Sequence, residues 1–312
     1  MRSSTSGPDP GFQSSAVPEF ETLFDRPVII VAAPRSGSTL LFETLAEAAN
    51  VWTIRGESHH IIESLAQLNP NSGRVDCNRL DASQASPEVA AILRRRFARF
   101  LRDRSGREFL HVFRGLRQLR FLEKTPKNAL RIPFMDAIFP DALFVFLFRD
   151  ARANISSMME AWRSGRWVTY PRLRGWQGPP WSLLLPPGWQ SLSGKPLEQI
   201  CAFQWNRANQ IALDDLAGLP RHRWIAIDYQ DLLDRPTDEV RRLCDFTGLE
   251  MDTHLASRVQ NPLPLSRMTQ TVPAADKWRR NEPEILSILS LVEDTQQRLS
   301  ELTAADAVAR EQ

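Results

Sequence analysis

Pro27-Val28-Ile29-Ile30-Val31-Ala32-Ala33, running straight into Pro34-Arg35-Ser36-Gly37-Ser38-Thr39, is the stretch on which the fold turns. Its first part is continuously apolar rather than alternating, the pattern of a strand buried on both faces of a sheet. A glycine-containing turn follows, and then Leu40, Leu41, Leu45 and Ala48 recur at helical spacing as far as about residue 49. A buried strand, a tight turn and a helix start place unpaired backbone N–H groups and the positive helix end around one point, which makes an anion cradle. Gly37 lets the backbone approach a ligand closely, Ser38 and Thr39 offer hydroxyls, and Arg35 adds charge. A strand–helix turn capped by Ser or Thr would use similar residues with no ligand at all. The direct succession of strand, basic residue, glycine and hydroxyls favours phosphate.

Outward from this loop, residues 51–54, 119–122, 143–148 and 224–227 read as further short buried strands. Helical spacing is expected from near Glu57 and over 87–104, 128–138, 150–162, 197–216, 237–247 and 282–305. Strands alternating with helices predict an α/β fold with a mostly parallel sheet and helices on both faces. The 87–104 helix carries Ile92, Leu93, Phe97, Phe100 and Leu101 among arginines, which reads as a solvated amphipathic surface helix. Residues 21–305 are expected to form a single domain. The Ser/Gly/Pro-rich residues 1–20 read as a disordered N-terminal tail and 306–312 as a C-terminal tail.

Within 160–196 the pattern breaks. Trp162, Trp167, Trp176, Trp181 and Trp189 alternate with Pro171, Pro179, Pro180, Pro186 and Pro187, so no regular structure is expected there. A long irregular insertion of this kind is either a substrate-facing lid or a cap packed on the core.

Composition narrows the function classes. The 312-residue chain is 42% hydrophobic and 24% charged with a net charge of +2, too near neutral to point to nucleic acid or a membrane surface. Cys77, Cys201 and Cys244 are odd in number and widely spaced, which fits neither a disulfide framework nor a CxxC metal site. No His/Cys/Asp cluster calls for a metal. Apolar runs reach about six residues where a spanning helix needs about 20, and no signal peptide is apparent. A cytoplasmic location is the default expectation. Only four of the 39 basic residues are lysines, and two of them, Lys124 and Lys127, share one short motif.

A Walker loop, GxxxxGK[ST], places lysine directly after its last glycine. Here Ser38 follows Gly37 and the basic residue precedes it by two positions, the wrong place for an ATP γ-phosphate clamp. Downstream, Arg149-Asp150 ends the 143–148 strand, where ligands bind in open α/β sheets. Ser157 follows about two helical turns later, so both side chains can reach one ligand.

The order proline–basic–Ser–Gly–Ser–Thr resembles the 5′-phosphosulfate loop of PAPS-dependent sulfotransferases, a P-loop-type fold, and with arginine it is most similar to the tyrosylprotein and related bacterial branch. The resemblance covers about residues 27–280. It implies PAPS as sulfuryl donor and PAP as product, with Arg35, Ser36, Gly37, Ser38, Thr39 and Leu40 at the 5′ end. Arg149 and Ser157 would hold the 3′-phosphate. It implies Glu57, in Arg55-Gly56-Glu57-Ser58, as the general base, with His59 and His60 as competitors because histidine serves in other branches. Lys124, in Glu123-Lys124-Thr125-Pro126, would contact the transferring sulfonate, with Arg35 sharing the charge, whereas Lys127 is expected on the helix surface. Tyr229 would lie near the nucleoside, and Ser266-Arg267 through Lys277 would close over the 3′-phosphate, with Lys277 the best-matched residue. The tyrosylprotein branch has a further arginine where this chain has Ala161, and Arg163 would point elsewhere. The acceptor is expected to be a small hydroxyl compound (lipid, phenol, polyketide or sugar). A peptide tyrosine, a P-loop kinase and a non-catalytic nucleotide-binding protein are the alternatives.

Overall fold

A computed structural model describes residues 22–112, 118–269 and 274–311, so the expected 1–20 tail lies outside the described residues. Seven strands are present among them: β1 (Val28–Val31), β2 (Val51–Trp52), β3 (Arg120–Lys124), β4 (Leu143–Phe148), β5 (Val168–Tyr170), β6 (Trp181–Ser182) and β7 (Trp224–Asp228). Five of these form one sheet in the order β2-β3-β1-β4-β7, every pairing parallel. The continuous apolar runs are explained by burial on both sides. Ile29 and Val31 of β1 face one core with Phe144 and Phe146, while Val28 and Ile30 face a second core with Val145 and Leu147. Parallel strands need crossovers, and the helices that supply them cover both faces.

From β1 the chain moves to one side for β2 and β3 and to the other for β4 and β7. The crevice at the C-terminal end of β1 is therefore a topological switch point, where ligands bind in open α/β sheets.

Local departures have local causes. β3 extends to Lys124, carrying Glu123 and Lys124 into the sheet. The helix expected over 128–138 divides into a 3-10 turn, Pro126–Leu130, and a helix, Ile132–Ile138, with Pro133 in its first turn, where a missing N–H costs nothing. The closing helix is interrupted at Ile288 and continues to Glu311, so most of the expected C-terminal tail is helical. Ala304, Ala305, Ala307, Ala309 and Arg310 are strong helix formers, which accounts for the extension.

The 160–196 segment is also more regular than expected. It contains the antiparallel pair β5–β6, with Val168 opposite Ser182 and Tyr170 opposite Trp181. The prolines lie outside the paired residues, where no ladder hydrogen bond is lost. Trp181 meets Trp162, Trp176 and Trp189 edge-to-face at centroid distances of 5.4, 4.9 and 5.8 Å, the arrangement aromatic quadrupoles prefer. Indole N–H groups of Trp162 and Trp189 donate to Gln204 Oε1 and the Asp76 carbonyl. This cluster packs on the core, while Trp167, Val168, Thr169, Tyr170, Leu183 and Leu184 of the same segment line the main cavity.

Among the described residues no helix is long and apolar enough to cross a membrane, and no group of three or more His, Cys, Asp or Glu could hold a metal ion.

Candidate active site

Strand order distributes the charges. Arg149 follows β4, Arg35 follows β1, Lys124 ends β3, and Glu57 lies beyond β2, so the four are arrayed along one sheet edge. Lys124 is buried beside Glu57, and Arg149, Arg35 and Glu57 border a cavity of about 700 Å³. Its lining includes Arg35, Gly37, Ser38, Thr39, Leu40, Glu57, His59, Arg149, Ser157, Tyr229, Ser266 and Lys277.

The loop after β1 holds Arg35 at φ 68° and Gly37 at φ 97°. The first is a strained position for a side-chain-bearing residue, of the kind found at ligand clamps. At Gly37 a Cβ would stand 2.2 Å from the Tyr229 ring, so glycine is required by packing as well as by φ. Ser36 departs from the expectation for the donor site: it is fully buried, and its hydroxyl is turned to the Ala33 carbonyl (2.7 Å) and Asn154 Oδ1 (2.8 Å). Asn154 Nδ2 donates to the Pro34 carbonyl at 2.8 Å. Asn154 thus clamps the loop from the Ala151–Ser164 helix, a role no local motif signals because the two segments meet only in three dimensions.

On the β4 side, the Arg149 guanidinium lies 4.7 Å from the Tyr229 ring centroid and donates to the Arg35 carbonyl at 3.3 Å. Arg35 rests 4.6 Å from the Trp167 ring centroid and donates to the Met268 carbonyl. Burial pulls both guanidinium groups below the ordinary arginine range, and for Arg35 the nearby Arg149 adds to the effect. A bound anion would relieve both penalties. Lys277 reaches the cavity paired with Glu160 at 2.8 Å. Arg267 pairs with Glu43 and does not line the cavity, and residues 270–273 of the expected closing segment lie outside the described residues. Arg163 is directed to Asn281 and Glu284.

On the β3–β2 side, Lys124 Nζ contacts Glu57 Oε1 at 2.8 Å and Thr39 Oγ1 at 3.2 Å. Burial alone would raise the Glu57 carboxyl, but His59 and Lys124 outweigh it and hold the group down at about 2. His59 Nδ1 stands 3.5 Å from Glu57 Oε2, longer than a good hydrogen bond. His60 is exposed, stacks edge-on against Phe100 and is not part of the lining. Glu123, next to Lys124 in sequence, accepts hydrogen bonds from Ser58 Oγ, Thr125 Oγ1 and Asn128 Nδ2 at 2.6–2.7 Å. Since Ser58 follows Glu57, this buried carboxyl fixes the backbone on which the Glu57–Lys124 pair depends.

Lys127 corrects the expectation of a surface lysine. The 3-10 turn directs it inward, where it is buried against Glu63 Oε1 at 2.7 Å and Oε2 at 2.9 Å. Burial lowers its ammonium to about 8, Glu63 opposes that shift, and Arg131 reinforces it. A lysine whose folded value lies below its unfolded value near 10.4 makes the unfolded chain the better proton binder between the two. Stability should therefore rise from about pH 8 to pH 10 by an amount on the order of 1–3 kcal/mol attributable to this group. Lys127→Met should remove that component from urea-unfolding curves taken across the range, and an unchanged pH slope would contradict it.

Residues 27–253 match the model of the sulfotransferase family. "Protein-tyrosine sulfotransferase A" of Caenorhabditis elegans is 23% identical over 229 residues, covering 72% of this chain and 50% of that protein. A putative protein-tyrosine sulfotransferase of Caenorhabditis briggsae is 25% identical over 131 residues, 42% of this chain and 38% of that protein. The chain thus spans about half or less of the length of these curated relatives. Among solved structures, sulfotransferase STF9 from Mycobacterium avium aligns with a TM-score of 0.48 at 18% identity, over 87% of this chain and 76% of that one. With the family match extending over most of the described fold, from β1 through β7 and the two helices after it, the chain belongs to the sulfotransferase family.

Proposed function

We propose that this chain transfers a sulfuryl group from PAPS to the hydroxyl of a small-molecule acceptor, using residues 21–305 as one sulfotransferase domain. The observation that carries this reading is the meeting, in one cavity, of two separate cationic anion sites with the half-buried Glu57 carboxylate, which is paired with the buried Lys124. The loop from Arg35 to Leu40 is suited to a 5′-phosphosulfate, and Arg149 with Ser157 to a 3′-phosphate. Ser36 would act only through its backbone. Glu57 takes the acceptor proton as the new S–O bond forms and the bond between sulfur and the 5′-phosphate oxygen breaks, releasing PAP. Arg35 and Lys124 stabilise the charge on the sulfonate and leaving phosphate, so positioning and electrostatics do most of the catalysis. Tyr229 and Lys277 would flank the nucleoside and its 3′ end.

PAP should raise the melting temperature, whereas ATP–Mg²⁺ should not, and labelled sulfate should pass from PAPS to a phenolic or alcoholic acceptor. Stabilisation by ATP–Mg²⁺ alone would point to a kinase. PAP binding with no transfer to any acceptor would leave a nucleotide-binding protein. Arg149→Ala should weaken PAP by roughly 10–100-fold while hardly affecting adenosine 5′-phosphosulfate, which lacks the 3′-phosphate. Equal losses for both would contradict that assignment. A tyrosine peptide is the second acceptor class to assay, favoured by the names of the curated relatives. Ala161, and the course of Arg163 away from the cavity, argue against it.

A further inference from the structure

Beyond Glu57, away from the donor loops, the cavity reaches a charged cluster for which the proposed reaction assigns no role. Glu63, Lys127 and Tyr170 line it, and Arg131 lies behind. Lys127 and Arg131 both bond Glu63, each at 2.7 Å, so two cations share one carboxylate and one positive charge is in excess. The neighbouring Glu57 is paired with Lys124 and acts on Lys127 less than Glu63 does, so it offsets the excess only in small part. Hydrogen-bond donors are in excess as well. Arg131 is fully buried, and its Nη1 has no partner among the described residues. The Tyr170 hydroxyl accepts from Asn78 Nδ2 at 2.6 Å and from Lys127 Nζ at 3.1 Å. Both contacts use its oxygen, and among the described residues nothing receives its proton. Buried charge without a counter-charge is costly, and here the imbalance borders a ligand cavity.

The segment over the cavity has the same sign. Residues 161–197 contain Arg163, Arg166, Arg172, Arg174 and Lys195 and no Asp or Glu. At the chain's average composition a stretch of that length would hold about four acids, so the imbalance sets a local positive field. Arg166 lines the cavity, its guanidinium 5.5 Å from the Trp167 ring centroid.

We infer that the acceptor carries, besides its reactive hydroxyl, a carboxylate-sized anion that seats against Lys127 and Tyr170 at this end of the cavity. The inference rests on the proposed function and names the acceptor class for it. Lys127 and Tyr170 are then specificity residues that orient the acceptor so that its hydroxyl faces Glu57. The depressed ammonium of Lys127 would be restored by such an anion, so binding near pH 8 should take a proton from the buffer.

The test uses the full chain saturated with PAP and titrated calorimetrically at pH 8 in two buffers of different ionisation enthalpy. The probes are 3-(4-hydroxyphenyl)propionate, its amide, and tyramine. The carboxylate should bind at least about ten-fold more tightly than the amide, with proton uptake, and tyramine more weakly still. Lys127→Met should reduce the carboxylate preference to within about two-fold and abolish the uptake, and Lys127→Arg should retain most of the preference. PAP affinity should be unchanged in both variants, which also reports that they fold. A carboxylate that binds no better than the amide, a preference for tyramine, or a preference that survives Lys127→Met overturns the inference while PAP binding still stands. Failure of PAP to bind the wild-type chain would instead remove the proposed function, and the inference with it.

Discussion

Glu57→Gln is expected to lower the turnover of sulfuryl transfer by roughly 10²-fold or more, with PAP affinity held within about two-fold. The acceptor hydroxyl must lose a proton as it attacks sulfur, and the Glu57 carboxylate lines the cavity beside Lys124 and the phosphate loop. Glutamine keeps an oxygen for Lys124 and nearly the same volume, so the buried ammonium retains a hydrogen-bond acceptor and the fold is spared. An alanine at this position would strand Lys124, which is 2% exposed, and would mix a folding defect into the kinetics. Stopped-time assays with labelled PAPS, alongside PAP titration, separate the two effects. Unchanged turnover would remove Glu57 from the role and turn attention to His59, which also lines the cavity. Stability carries a matching signature. The Glu57 carboxyl, held at about 2, lies below its unfolded value near 4.3. Its ionised form thus contributes stability above that pH, and the contribution is lost as pH falls toward 2. The glutamine variant should lack this acid-side loss.

Gly37→Ala is the second large effect: PAP affinity should fall by roughly 30-fold or more, and the fold should lose about 2–3 kcal/mol. Two costs combine. A φ of 97° is unfavourable for any residue with a Cβ, and the added methyl would stand 2.2 and 2.3 Å from Tyr229 carbons. Tyr229 cannot retreat freely, because Arg149 is stacked on its ring. The clash therefore displaces the proposed 3′-phosphate arginine along with the loop. In Gly37→Ala/Tyr229→Ala the steric cost disappears and the backbone cost remains, so part of the stability should return. Wild-type PAP affinity in the single variant would refute the close packing of ring and loop.

Most of the sheet was legible because buried parallel strands advertise themselves as unbroken apolar runs, and β1, β4 and β7 are such runs. The Trp-rich segment shows no regular pattern in sequence, yet it holds a pair of short strands. The first strand ends before Pro171 and the second lies between Pro180 and Pro186, and pattern length alone cannot register three residues pairing with two. The sequence puts Lys127 on the helix surface, where lysines usually lie. Its burial depends on Glu63, Arg131 and Tyr170 arriving from other segments. Asn154 and Glu123 carry no local signal as positioning residues for the same reason: each acts on a partner brought near by the fold, at residue separations of 118 and 65.

By itself the sequence determined the parallel α/β framework, the phosphate loop with glycine before its helix, and the second arginine at a strand end. These follow from local chemistry, namely hydrophobic periodicity, the conformational freedom of glycine and the dipole of a helix start. Only the tertiary structure decided that Ser36 faces inward, that Glu57 is ion-paired with Lys124, that His60 is outside the cavity, and that Lys127 lines the cavity beside Glu63 and Tyr170. Those features depend on the side on which each strand and turn delivers its side chain. That side is set by packing two cores against one sheet, which no single stretch of sequence contains.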